Sequence, residues 1–184
     1  MTAAESEGEG GAPRDEAAGP DGAGAARDRR LPGRRPLSLS RIERNGLPPG
    51  TPAPPFVLPD ARGGGDVALA AFRGRRLLLV FTDPKCAPCD GLAPRLARWQ
   101  AQNEDPTLAV LLVGRGDPAE NRRALDAAGS PIPVAVQRRW EVSRAYGIFT
   151  TPAAFLLDAA GVIAGGVARG TDEILALAAA APAR

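Results

Sequence analysis

Residues 77–89 read LLLVFTDPKCAPC, and this stretch decides the fold. The continuous apolar run from Arg76 to Thr82 is typical of a strand that is buried on both faces of a sheet. The apolar residues that follow recur at helical spacing, and these are Leu92, Leu96 and Trp99. We therefore predict a helix that begins at Cys86 and Cys89 and is kinked by Pro94. The two cysteines then lie where a buried strand meets a helix.

Cys86 and Cys89 are the only cysteines, and the chain contains no histidine. Without histidine, Ser-His-Asp triads, Cys-His nucleophiles and histidine metal sites are excluded. Two cysteines cannot complete a four-ligand zinc site, so we predict no metal. A disulfide enzyme needs a thiolate that attacks and a second thiol that resolves the mixed disulfide, and a two-residue spacer provides that reach. An inert disulfide, or half of an intermolecular metal site, is the alternative for such a pair.

The surroundings of Cys86 bear on which sulfur attacks. Unpaired backbone N–H groups and the positive end of the dipole at a helix start favour a thiolate there. Lys85 adds a cation one residue away, while Asp83 and Asp90 oppose it, so the sign of the local field stays open. Because Cys89 lies one turn deeper, we predict that Cys86 is the nucleophile and Cys89 the resolving cysteine.

The rest of the folded part alternates short strands with helices. Strands are predicted at 56–58, 67–69, 108–113, 134–136 and 153–157, and at 162–167 as the second arm of an antiparallel hairpin. Helices are predicted after the capping box at 117–120, at 140–146, and near the C-terminus with Thr171 as the N-cap. Parallel β-α units that end in a hairpin predict an α/β fold, with a central mixed β-sheet and helices on both faces.

Composition and charge limit the function classes. Residues 1–46 hold almost no large apolar side chains and are predicted to form a disordered N-terminal arm, so the folded domain should span residues 47–184. The net charge of +2 is too small for a nucleic-acid-binding surface. No apolar run reaches the roughly 20 residues of a membrane span, and residues 1–5 lack the features of a secretory signal. These patterns predict a cytoplasmic protein that contacts neither membrane nor nucleic acid.

Two segments resemble the thioredoxin superfamily, specifically its redoxin or TlpA-like branch. One is residues 77–89 with Pro94 five residues beyond Cys89, and the other is residues 146–161, which read YGIFTTPAAFLLDAAG. The resemblance covers about residues 47–180. It implies a thioredoxin-like three-layer sandwich with an N-terminal β extension. It also implies a thiol-disulfide oxidoreductase whose redox-active center is the CxxC pair and whose role is cell redox homeostasis.

The same resemblance assigns further site residues and partners. It implies that Thr151 and Pro152 form a cis-proline loop that faces the substrate, since such a bond turns the chain so that the preceding residue pairs with an extended segment. Pro88 occurs in the reducing members, which implies that it modulates a pair that reduces protein disulfides. Lys85 is predicted to modulate the pair as well, because its cation lies one residue from Cys86. An upstream dithiol reductant would restore the pair. A monomer is expected. No organic cofactor is expected, because residues 114–116 lack the third glycine of a dinucleotide motif.

The sequence departs from that family pattern at three positions. Val80 stands where a buried acid is common, Leu92 where a glutamate is common, and Lys85 where an aromatic residue is common. The usual proton acceptor is therefore missing. A thiol peroxidase of the redoxin type is one alternative, although Asp83 and Leu79 replace the hydroxyl residue and the proline of the matching motif. A non-catalytic thioredoxin-fold binding module that uses the face of the cis-proline loop is the other.

Overall fold

A computed structural model describes residues 45–103 and 105–181 of the chain. The predicted disordered arm at 1–46 lies outside these residues, apart from its last two positions. The helices are α1 (Leu92–Gln102), α2 (Pro118–Ala127), α3 (Glu141–Ala145) and α4 (Gly170–Ala179). The strands are β1 (Val57–Pro59), β2 (Asp66–Ala68), β3 (Arg76–Thr82), β4 (Leu108–Arg115), β5 (Val134–Gln137), β6 (Ala153–Leu157) and β7 (Ala168–Arg169).

Strand β3 is the central strand of a five-stranded sheet with the order β5-β4-β3-β6-β7. It pairs in parallel with β4 and antiparallel with β6, which confirms the predicted mixed sheet. Thr82 of β3 lies opposite Gly114 of β4, and Phe81 lies opposite Ala153 of β6. The chain that follows β3 therefore leaves the sheet beside the residues that follow β4 and those that precede β6.

The side chains of β3 point alternately into two hydrophobic cores on opposite faces of the sheet. Leu77, Leu79 and Phe81 belong to the core that includes α3, whereas Leu78 and Val80 belong to the core under α1, α2 and α4. Burial on both faces is the reason that the strand needs a continuous apolar run. Helices on both faces give the predicted three-layer α/β architecture. Within the described residues, no helix is long and apolar enough to cross a membrane.

The predicted N-terminal β extension is an antiparallel two-stranded sheet formed by β1 and β2. Its turn contains Gly63 and Gly65, whose φ values of 81° and 102° favour glycine. The Ala61 N–H donates to the Val134 carbonyl oxygen of β5 at 2.9 Å. Because β5 is the edge strand, the extension covers one edge of the main sheet.

The prediction that the cysteines open the long helix is wrong, because α1 begins only at Leu92. Cys86 instead precedes a single 3₁₀ turn, Ala87–Cys89, and Gly91 then takes a φ of 76° before α1 starts. The predicted kink at Pro94 does not occur, since this proline lies in the first turn, where its missing N–H has no partner within the helix. The dipole of α1 is therefore separated from Cys86 by the turn and by Gly91.

The C-terminal part differs from the prediction in two ways. Residues 162–167 form only isolated bridges at their first two positions, and the strand that pairs with β6 is the short β7. Two consecutive glycines in this segment account for the difference, because glycine weakens a strand interior. Thr171 does not cap α4, since Arg169 occupies the N-cap position. The Thr171 hydroxyl instead donates to the Pro88 carbonyl oxygen at 3.1 Å.

Candidate active site

The two cysteines lie on the loop that follows β3, at the carboxyl edge of the parallel strands. Asp83 shapes this loop, because its Oδ1 accepts from the Lys85 N–H at 2.9 Å and its carbonyl oxygen accepts from the Cys86 N–H at 3.0 Å. The Cys89 N–H donates to the Cys86 carbonyl oxygen at 2.8 Å and closes the 3₁₀ turn. Both thiols are free and partly buried.

The segment before β6 brings Thr151 and Pro152 to Cys86. Because Phe81 pairs with Ala153, the residues after β3 and those before β6 emerge side by side. Cys86 Sγ donates to the Thr151 carbonyl oxygen at 3.3 Å, and the Thr151–Pro152 peptide bond is cis. Thr151 is half-buried and Pro152 is buried. The fold therefore brings together the two parts of the site that lie far apart in the sequence.

Cys89 differs from Cys86 in its surroundings. Burial, with a further contribution from its hydrogen bond with Cys86, raises the pKa of the Cys89 thiol to about 12. Hydrogen bonds that involve the Asp83 backbone and Thr151 act in the opposite direction but do not cancel this rise in pKa. Near neutral pH, Cys89 therefore stays protonated and becomes a nucleophile only when its proton is removed.

The raised pKa of Cys89 predicts that its alkylation is slow. In a Cys86→Ser variant the burial of Cys89 remains, and only the smaller contribution from Cys86 is lost. The pKa of Cys89 therefore stays above that of an ordinary thiol, and only a small fraction is thiolate at pH 8. We expect the rate of labelling by iodoacetamide, followed by mass spectrometry, to rise about tenfold per pH unit up to about pH 10. A plateau below pH 9 would contradict the effect of burial.

An ion pair that the CxxC motif alone does not reveal lies beside the cysteine loop. The Asp83 carboxylate accepts two hydrogen bonds from the Arg115 guanidinium, one of them from Nε at 2.6 Å, and Asp83 is 6 % exposed. The guanidinium in turn lies 4.8 Å from the ring centroid of Trp140. The parallel pairing of β3 with β4 could have predicted this ion pair. Because Thr82 lies opposite Gly114, the residues that follow them, Asp83 and Arg115, lie at the same edge of the sheet.

The two predicted modulating residues, Lys85 and Pro88, are exposed at the rim of the site. Lys85 Nζ lies 3.1 Å from Oε2 of Glu120, in the first turn of α2. The Pro88 carbonyl oxygen accepts the hydrogen bond from Thr171, which connects the 3₁₀ turn to α4. Lys85 therefore forms an ion pair with Glu120, and the Pro88 carbonyl oxygen connects the 3₁₀ turn to α4.

A cavity of about 110 Å³ lies behind Cys89, and Asp83 and Asn121 contribute to its walls. Val80 and Leu92, the positions where the family pattern has acids, are fully buried and apolar. A cavity of this size with polar walls is large enough for water. The polar residues that line this cavity together with Cys89 are Thr82, Asp83, Asp90 and Asn121. In the described parts of the chain, no group of three or more Cys, Asp or Glu residues could hold a metal ion.

Comparison with known proteins identifies the family of this chain. The sequence profile of the AhpC/TSA family matches residues 49–165, which is more than half of the chain. The chain belongs to the AhpC/TSA family. The matched residues of this AhpC/TSA-family protein include both cysteines and the Thr151–Pro152 loop.

Individual relatives of this AhpC/TSA-family protein point to its activity. Thiol-disulfide oxidoreductase ResA of Geobacillus thermodenitrificans is 29% identical over 122 residues, which are 66% of this chain and 70% of ResA. Methylamine utilization protein MauD of Paracoccus denitrificans is 33% identical over 120 residues, 62% of this chain and 56% of MauD. A Chlorobium tepidum crystal structure, described as thiol:disulfide interchange protein DsbE, has a TM-score of 0.65 and 26% identity, covering 72% of this chain and 94% of that chain. The AhpC/TSA-family protein is thus a thiol-disulfide oxidoreductase with a thioredoxin-like fold.

Proposed function

We propose that this oxidoreductase reduces protein disulfides, with Cys86 as the nucleophile and Cys89 as the resolving cysteine. The asymmetry of the pair carries the proposal. Cys86 Sγ contacts the carbonyl oxygen of Thr151, in the loop proposed to face the substrate, whereas burial raises the pKa of Cys89 and keeps it a thiol. A pair in which one sulfur lies at the proposed substrate loop and the other is held as a thiol until its turn suits successive attack and resolution.

The proposed reaction consists of two thiol-disulfide exchanges. The Cys86 thiolate attacks one sulfur of the substrate disulfide, a bond forms between them, and the other substrate sulfur leaves as a thiolate and takes up a proton. Cys89 then loses its proton and attacks Cys86 Sγ, which forms the Cys86–Cys89 disulfide and releases the second substrate thiol. The substrate gains two electrons and two protons. A dithiol of another protein then supplies two electrons and two protons that reduce the Cys86–Cys89 disulfide.

Thr151 and Pro152 are proposed to position the substrate. An extended segment that lies along Thr151 would pair with its backbone and place a disulfide sulfur next to Cys86 Sγ, since the two groups are already in contact. Lys85 and Pro88 are proposed to modulate the exchange. Their bonds to α2 and α4 fix the turn that carries both sulfurs.

The direction of the reaction is tested by equilibrating the protein with glutathione buffers and measuring the fraction of its disulfide form by mass spectrometry. Strong oxidants stabilise their reduced form, but here Lys85 and Arg115 are paired with Glu120 and Asp83 rather than free to stabilise a thiolate. We expect a potential nearer about −270 mV than about −120 mV. A value at the oxidising end would contradict the proposed direction. Rapid consumption of peroxide with a sulfenic acid intermediate would favour the thiol peroxidase instead.

A further inference from the structure

A shallow groove of about 400 Å³ opens on the surface near the proposed active site. Its lining residues come from α3 and the flanking loops, and they are Arg139, Trp140, Glu141, Arg144 and Phe149. Phe149 is 40% exposed, and among the described residues only Val57 is another large apolar side chain with such exposure. An exposed aromatic side chain in a groove is typical of a surface that binds a partner.

Two connections place this groove next to the cysteine loop. Phe149 precedes by two residues Thr151, whose carbonyl oxygen contacts Cys86 Sγ, and two residues of extended chain span about 7 Å. From the other side, Trp140 stacks on Arg115, whose guanidinium is hydrogen-bonded to the cysteine loop. A substrate segment that runs along Thr151 therefore reaches the groove within about two residues.

The charged group of the groove that remains available to a ligand is positive. Burial acts to raise the pKa of Glu141, but hydrogen bonds from backbone N–H groups hold it below its usual value. Two of these bonds come from Arg138 and Arg139, at 2.9 and 2.8 Å, so the carboxylate oxygens are already engaged. Arg144 is exposed, and its side chain has no ion pair with any residue of 45–103 or 105–181. An unpaired guanidinium beside two aromatic side chains suits a ligand that carries both a carboxylate and an apolar group.

We propose that this groove selects the substrate by binding an apolar side chain against Trp140 and Phe149 and a carboxylate at Arg144. The substrate class is then a protein whose disulfide is flanked by apolar and acidic residues. The inference rests on the proposed function, because it concerns the surface beside the same reacting sulfurs. Opposite charges across an interface accelerate encounter and like charges disfavour it, so the arginine sets the preference while the aromatic side chains add contact area.

The test uses three short peptides with one cysteine each, held as a neutral mixed disulfide with 2-mercaptoethanol. The residues next to the cysteine are Leu-Glu-Glu, Leu-Gln-Gln or Leu-Lys-Lys. The rate with the reduced protein is divided by the rate with dithiothreitol, which removes differences in intrinsic reactivity. We expect the normalised rate for the glutamate peptide to exceed that for the lysine peptide by at least about fivefold at low salt. The ratio should approach one at about 1 M salt, where the Debye length is about 3 Å.

Matched variants assign the preference to the groove. Arg144→Glu should reverse the order of the glutamate and lysine peptides. Arg98→Glu makes the same charge change at an exposed position of α1, which packs on the other face of the sheet, and should keep the wild-type order. Phe149→Ala should slow all three leucine-containing peptides without changing their order.

The outcomes separate this inference from the proposed function. Equal normalised rates for the three peptides would overturn the selection by charge, while reduction of all three would still support the proposed function. A preference for glutamate that persists in Arg144→Glu would also overturn the proposal, because Arg144 would then not bind the carboxylate. Failure of the wild-type protein to reduce even the neutral glutamine peptide would instead contradict the proposed function.

Discussion

Replacement of Cys86 by serine should abolish disulfide reduction by this protein, with a loss in rate of at least about 10³-fold. A serine hydroxyl in that place is not ionised near neutral pH and cannot form the mixed disulfide. The remaining Cys89 cannot take over attack, since burial raises its pKa to about 12. The measurement is the rate at which the reduced protein reduces a neutral peptide disulfide, compared with the wild-type protein.

Replacement of Cys89 by serine should have a different result, which makes the pair of variants decisive. Attack by Cys86 still occurs, but no thiol resolves the product, so a mixed disulfide with the substrate accumulates. Non-reducing electrophoresis and mass spectrometry would detect it and identify the trapped substrate protein. If Cys86→Ser trapped the substrate through Cys89 while Cys89→Ser trapped none, the assignment based on burial and on the Thr151 contact would be wrong. If neither variant changed the exchange rate, the CxxC pair would not be the active centre.

The parts of the fold that could be predicted are those that one local pattern determines. The apolar run of β3 requires burial on both faces, and this alone places helices on each side of the sheet. Asp117 accepts from the N–H groups of Ala119 and Glu120, so the capping box does begin α2 as its sequence indicates. In both cases the physical cause lies within a few residues.

The parts that could not be predicted depend on contacts between residues far apart in the chain or on the backbone conformation of a single residue. The spacing of Leu92 and Leu96 defines the face of α1, but only the positive φ of Gly91 sets its start. The ion pair joins Asp83, which directly follows β3, to Arg115, the last residue of β4, and it exists because β3 and β4 are parallel neighbours. The predicted site residues are close in space through the same kind of long-range pairing.

The second large effect is expected on stability, from the substitution Phe155→Ala in β6. Phe155 is fully buried, and its ring centroid lies 6.2 Å from that of Phe81 and 5.5 Å from that of Tyr146. Loss of the ring removes apolar burial and leaves a cavity beside Phe81 and Tyr146 that the surrounding structure fills only in part. We expect the free energy of unfolding to fall by about 3–5 kcal/mol, measured by urea denaturation.

Phe149→Ala provides the matched control, because it deletes the same atoms at a position that is 40% exposed. Its cost should be about 1 kcal/mol or less, since water already contacts much of this ring. Phe155→Leu retains most of the buried volume and should lose only about 1–2 kcal/mol, so the comparison stays measurable if Phe155→Ala does not fold. Equal losses at the two positions would show that the cluster of Phe81, Tyr146 and Phe155 does not carry the stability that its burial indicates. A large loss confined to Phe155 would show that the site is built on a packed core, whereas the groove beside it can be altered without unfolding the protein.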